Sequence, residues 1–135
     1  MKRRILMLAL IYLLFGTLTY SAGKKEYMSP DGAYLAVVVT DPASGESKVV
    51  VKTKDGRMIC SRSFLSEDRE HGAGVDKTAW TPDSRFFVYG MYLSGGHQPW
   101  HFPAEFCSVR QSITRRLDDY VGPVISSTLK QRLQI

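Results

Sequence analysis

The sequence predicts an all-β protein: two antiparallel sheets behind an N-terminal signal segment, with a short helix near the C-terminal end. Three observations carry this. Ser29-Pro30-Asp31-Gly32-Ala33-Tyr34-Leu35-Ala36-Val37-Val38-Val39 is matched 52 positions later by Thr81-Pro82-Asp83-Ser84-Arg85-Phe86-Phe87-Val88-Tyr89-Gly90-Met91, and a repeat means one supersecondary unit used twice. Each Pro-Asp turn opens an apolar, β-rich run, 34–39 and 86–93, of the kind that forms central strands covered on both faces. Between these runs, clusters of turn formers cut the chain into strand-length pieces.

Residues 1–22 read as a signal peptide. Lys2, Arg3 and Arg4 form a basic start, 5–15 is unbroken apolar sequence, and 16–22 is small and mildly polar, with Thr19 and Ser21 spaced for signal-peptidase cleavage. No cysteine stands near that point, so no lipid anchor is expected there. The rival reading is an uncleaved anchor, and the 16 residues 5–20 are short for a span of roughly 20. Without the three basic residues of this segment, 15 basic residues face 13 acidic ones, and the surplus of +5 falls to +2. A surplus that small, with no basic stripe interleaved with aromatics, does not point to nucleic acid.

Residues 23–135 have the length of one domain. A first short strand is expected at 25–28. In the repeated turn Pro presets φ, Asp bonds its own backbone, and Gly32 takes a left-handed conformation. A strand at 33–40 follows, then the turn formers 41–46. Residues 47–53 alternate between apolar and polar and suit a half-buried strand. Asp55-Gly56 is a hairpin signal, and 57–65 returns as the next strand. The polar stretch 66–74 leads to strands at 75–80 and 86–93. A long Gly/Pro/His/Trp loop spans 94–103, and strands at 105–110 and 113–117 close the second unit. Ser126 is placed to cap a helix with Ile125, Leu129 and Leu133 on one face.

Trp80-Thr81-Pro82-Asp83-Ser84-Arg85-Phe86-Phe87-Val88 is similar to the Trp-Ser-Pro-Asp-Gly-Lys-apolar pattern of TolB-like and WD-type β-propeller blades, and 27–36 resembles it with Tyr27-Met28 as the lead-in. The resemblance implies two propeller-blade-like sheets, about 25–65 and 75–117, forming a rigid platform that binds proteins or peptides through its loops. It carries over no catalytic residue. A closed propeller takes at least four blades and this chain has room for two. The resemblance therefore implies either association of several copies or two sheets packed on each other, with sheet edges open to self-association.

The chemistry-bearing residues cluster in loop 94–103. His97, Trp100, His101 and Phe102 are the candidate binding residues: a large apolar face, an aromatic neighbour, and two donors that change charge near neutral pH. The plainer reading is a loop pinned by Trp100 and Phe102 packed on the sheet, with the histidines at its rim. Histidines four apart share a metal on a helix face, but Gly95, Gly96, Pro99 and Pro103 forbid that helix, and no metal or other cofactor is assigned. Ser94-Gly95-Gly96-His97 is not a nucleophile elbow, and no catalytic set is expected. Cys60 and Cys107 form a disulfide in an exported chain with an even cysteine count, or else are two small buried hydrophobes that never meet. Neighbouring blades diverge at their outer strands, which weighs against the pairing.

The function expected from this is an exported envelope protein, periplasmic or extracellular, that binds a protein or peptide partner through its loops. Contact with a membrane is expected only through an uncleaved signal segment. Two other classes stand beside it: a small hydrolase or metal-binding protein using 97–107, and an oligomeric structural or inhibitor-like protein.

Overall fold

The computed structural model describes residues 23–95 and 102–122; the signal segment and the Ser126 helix lie outside them. Eight strands run in order: β1 (Gly23–Met28), β2 (Tyr34–Thr40), β3 (Ser47–Thr53), β4 (Met58–Ser63), β5 (Ala73–Trp80), β6 (Phe86–Leu93), β7 (Ala104–Ser108) and β8 (Ile113–Arg116), followed by a four-residue helix, α1 (Asp118–Val121). They form two four-stranded antiparallel meanders, β1-β2-β3-β4 and β5-β6-β7-β8. The all-β class with two antiparallel sheets is what the alternation and turn chemistry predict. β1 and β5 each begin two residues earlier than expected, and β4 and β7 end two residues earlier.

The two Pro-Asp turns are equivalent bond for bond. The Ser29 hydroxyl donates to Asp31 Oδ1 (2.7 Å) and accepts from the Tyr34 amide (3.0 Å), while Asp31 Oδ1 accepts from the Ala33 amide (3.0 Å). In the second turn Thr81 donates to Asp83 Oδ1 (2.6 Å) and accepts from Phe86 N (3.1 Å), and Asp83 Oδ1 accepts from Arg85 N (3.1 Å). These bonds hold both aspartates below the usual carboxylate range, the hydroxyl contributing most. The fourth residue is left-handed in each, Gly32 at φ 70° and Ser84 at φ 59°. The turns also touch: the Asp31 amide donates to Ser84 Oγ at 3.0 Å.

A Cβ at Gly32 would meet nothing within 4 Å, so Gly32→Val reports backbone strain alone. A destabilisation of about 1–2 kcal/mol is expected, read as a lower urea midpoint at unchanged slope. An unshifted midpoint would remove the left-handed assignment.

The sheets pack face to face. Their shared core contains Ala36, Val38, Val49, Val51 and Cys60 from one sheet and Phe87, Tyr89, Met91 and Cys107 from the other. Aromatic rings bridge it: Tyr34 stacks on Trp80 (6.2 Å), Tyr27 leans on Phe87 (5.9 Å), and Phe64 meets Tyr89 edge-on (6.2 Å). Trp80 Nε1 donates to the Tyr27 carbonyl across the interface (2.9 Å). Burying a ring such as Phe87 contributes roughly 2–3 kcal/mol.

β4 and β7 are joined twice. Cys60 and Cys107 form a disulfide with Cα atoms 6.2 Å apart, so the divergence argued from blade geometry does not hold here: the inward rows of the two strands come within bridging distance. Two residues away on each strand, Arg62 Nη2 donates to Glu105 Oε1 (3.3 Å), and the Tyr89 hydroxyl donates to Glu105 Oε2 (3.0 Å). Burial, and then the charge of Glu105, push the Tyr89 phenol far above its ordinary pKa.

The expectation that β2 and β6 are covered on both faces holds at the centre of β2, where Ala36, Val37 and Val38 are all buried, and is corrected for β6. β6 alternates buried and half-buried along its first six residues and ends exposed at Tyr92 and Leu93. Among the described residues each sheet has one partner sheet, and its outer face is shielded by its own neighbouring side chains and, on the β5–β8 sheet, by Tyr120 of α1. The outward-facing Val37 is buried in this way, flanked in register by Glu26 and Val50. The open edges are blunted by Lys24 and Lys25 on β1, by Arg115 and Arg116 on β8, and by a register shift between Val75 and Thr78 on β5.

Candidate functional site

The meander topology sorts the connections by end. One end carries only short turns. The other carries the 41–46 turn, the 64–72 connection, the 94–103 loop and the start of α1. That second end is the candidate site.

It is organised around Glu46. Asp41 shapes the first turn by accepting from the Ala43 amide (3.0 Å) and from Ser44 Oγ (3.2 Å), while the Gly45 amide returns to the Asp41 carbonyl (2.7 Å) with Gly45 left-handed at φ 75°. This turn places Glu46, 1 % exposed, between the sheets. Its carboxylate accepts from the Ser66 hydroxyl (2.6 Å), the Ser66 amide (2.7 Å), the Gly72 amide (2.8 Å) and the Ser94 hydroxyl (2.9 Å). Every long connection of this end is therefore tied to one side chain. Ser94 N also donates to the Gly72 carbonyl (3.1 Å), and the Tyr92 hydroxyl donates to the Gly45 carbonyl (3.1 Å).

The bonds from Ser66, hydroxyl first and amide second, outweigh the opposing effect of burial and hold the Glu46 carboxyl down to about 2. A carboxylate stabilised this way stays ionised and has its lone pairs engaged, so Glu46 acts as an anchor rather than as a base. Because its folded pKa lies below the unfolded value, its contribution is present above about pH 4.5 and is lost as pH falls toward 2. Glu46→Gln is expected to lower the melting temperature at pH 7 and to lower it much less at pH 2.5. An equal deficit at both pH values would show that the ionised carboxylate is not what matters.

In the 64–72 connection Asp68 accepts from the Glu70 amide (3.0 Å), from the His71 amide (3.2 Å) and from the His71 ring. The Asp68 bond and charge raise the pKa of the exposed His71, and Asp68 is itself held below the usual range, chiefly by the Glu70 amide.

Large apolar side chains stand open around this frame: Leu65, Leu93 and Phe102 are 53 %, 46 % and 47 % exposed. Beside them an open depression is lined by Val39, Pro42 and Leu65, with Lys48 and Arg69 at its rim. Of the four candidate binding residues, Phe102 is thus an exposed residue of this end, and Pro103 rejoins the sheet where its carbonyl accepts from the Met91 amide (2.8 Å). His97, Trp100 and His101 lie outside the described residues. Glu105 and Cys107, the downstream members of the 97–107 group, point into the core and are engaged with Tyr89, Arg62 and Cys60. Among the described residues no three His, Cys, Asp or Glu side chains converge on a point that would hold a metal, and no helix is long and apolar enough to cross a membrane.

Sequence reading missed Glu46, which looked like the last polar residue of a turn. Its donors lie 20, 26 and 48 positions away, beyond any local pattern. No protein-family model matches the chain, and no curated protein matches it.

Proposed function

We propose that this chain is a small exported binding module of the cell envelope that takes a protein or peptide partner on its loop end. In this reading its two sheets are a pair of blade-like units of the TolB-like or WD-type kind. The observation that supports it is the Glu46 anchor. Three connections are fixed to one buried carboxylate before any partner arrives, which lowers the ordering cost of binding. Around that rigid frame Leu65, Leu93 and Phe102 present apolar surface, and the loop carrying His97, Trp100 and His101 leaves the sheet from Ser94, itself bonded to Glu46. A disulfide joining the sheets accords with an oxidising compartment.

Site-specific photo-crosslinking in the envelope fraction tests it. A photoreactive residue at Leu65, Leu93 or Phe102 is expected to give one discrete adduct, and the same residue at Met58, at the turn end of the β1–β4 sheet, none. Adducts of equal yield from both ends, or none from the loop end, reject the surface. N-terminal sequencing of the same material is expected to begin near residue 23; a start at Met1 rejects cleavage.

A further inference from the structure

The outer face of the β5–β8 sheet carries a second feature, a groove toward the turn end. Its floor is aromatic: Phe86 meets Phe106 edge-on at 5.6 Å, and Tyr120 of α1 meets the same Phe106 edge-on at 5.6 Å. Three guanidinium groups stand over this floor, from three separate parts of the chain. Arg85 comes from the β5–β6 turn, Arg110 from the β7–β8 turn and Arg115 from β8. Arg115 Nη1 donates to the Tyr120 hydroxyl at 2.7 Å, which leaves its other donors open. Arg85 has a partner in Asp83, whose Oδ2 lies 3.9 Å from Arg85 Nε and whose Oδ1 accepts from Thr81 and the Arg85 amide. Among the described residues no carboxylate pairs with Arg110 or Arg115, and none lines the groove.

We propose that this groove binds an acidic peptide segment in which apolar side chains alternate with carboxylates. Arg110 and Arg115, which no carboxylate among the described residues pairs with, call for an anionic occupant. Arginine presents a planar fork that matches a carboxylate in pairs of hydrogen bonds, and the ring floor takes the apolar side chains between them. Charge argues against two other occupants. The outer face of the β1–β4 sheet, which a second copy would offer, places Lys24, Lys48 and Lys52 in register around Val39 and Leu35, and its carboxylate Glu26 is already paired with Lys24 at 2.6 Å. Residues 123–135 of this chain carry Lys130 and Arg132 and no acidic side chain. An anionic lipid surface favours basic side chains displayed on an open face, whereas these converge on a groove. The groove lies apart from the loop end, so either surface can fail without the other.

Fluorescence anisotropy on the disulfide-bonded protein tests the proposal. The probes are fluorescein-labelled Glu-Phe-Glu-Leu-Glu, its Gln-Phe-Gln-Leu-Gln counterpart, and vesicles of phosphatidylcholine with phosphatidylglycerol. The acidic peptide is expected to bind, more weakly as salt rises, and the neutral one to bind at least tenfold less. Arg110 is exposed and bonds no other described residue, so Arg110→Gln is expected to melt like the parent. Its affinity should fall about tenfold or more, the size of one charged hydrogen bond, with Arg110→Lys in between. Equal binding of the two peptides, no binding of either, an Arg110→Gln variant that binds as before, or binding to vesicles alone would each overturn it.

Discussion

Loss of the Cys60–Cys107 bond is expected to lower stability by about 4 kcal/mol, from the closure entropy of a loop whose ends are 47 positions apart. The bond joins the two sheets, so its removal frees each meander to sample arrangements that the crosslinked unfolded chain cannot reach. The Cys60→Ser/Cys107→Ser double variant is the clean form of the experiment, because a single variant leaves an unpaired thiol. Its urea midpoint should fall without a gain in cooperativity. What remains at that point of the interface is the Arg62–Glu105 pair and the Tyr89 hydroxyl bond, and an ion pair with an exposed arginine adds little. Both sulfurs are buried, so reductant should act slowly on the folded protein and fast once urea is present. A midpoint change worth less than about 1 kcal/mol would mean that the sheets hold together by packing alone.

The second large effect is expected at Gly72. A Cβ there would lie 2.1 Å from the Phe64 carbonyl oxygen and 2.4 and 2.5 Å from the Glu46 carboxyl group. Neither can retreat cheaply. The Phe64 oxygen accepts from the Ala73 amide (3.1 Å), and Glu46 is held by Ser66 and Ser94. Gly72→Ala should therefore cost about 3 kcal/mol, at the upper end for a single overpacked site, because it also breaks a buried polar network. Gly90→Ala is the control: its added Cβ meets only Lys77 atoms at 3.9 and 4.0 Å, and stability should hold or rise slightly, as alanine suits a strand interior better than glycine. If the two variants melt alike, the close approach at Gly72 is not structural.

The strands were legible from local signals that act over two to six residues. Alternation marked β3, the Asp55-Gly56 dipeptide marked the β3–β4 hairpin, and the repeated Pro-Asp turns marked β2 and β6 as the inner strands. Those turns are built almost entirely from their own side chains, which is why a sequence match over 11 residues carried through to matching hydrogen bonds. The face-to-face packing of the sheets was not legible. It depends on which side of each strand meets the other sheet, and an apolar run such as 34–39 reads the same from either side. Hence β6 reads as covered on both faces where the structure leaves its outer face half-buried, and the cysteine pairing depends on β4 and β7 facing each other.

The two candidate surfaces divide in the same way. Phe102 and its loop stood out because glycine, proline and aromatic residues cluster within a few positions. Glu46 and the Arg85, Arg110 and Arg115 group did not, since their members are scattered along the chain and gathered only by the fold. By itself, then, the sequence determined the β class, the strand boundaries to within about two residues, and the two equivalent turns, because each rests on neighbours along the chain. Tertiary structure alone decided the disulfide, the buried anchor of the loop end and the basic groove. The disulfide and the anchor are contacts between residues 20 to 48 positions apart, whose meeting is set by how one sheet lies on the other, and the groove depends on the pairing of β6, β7 and β8.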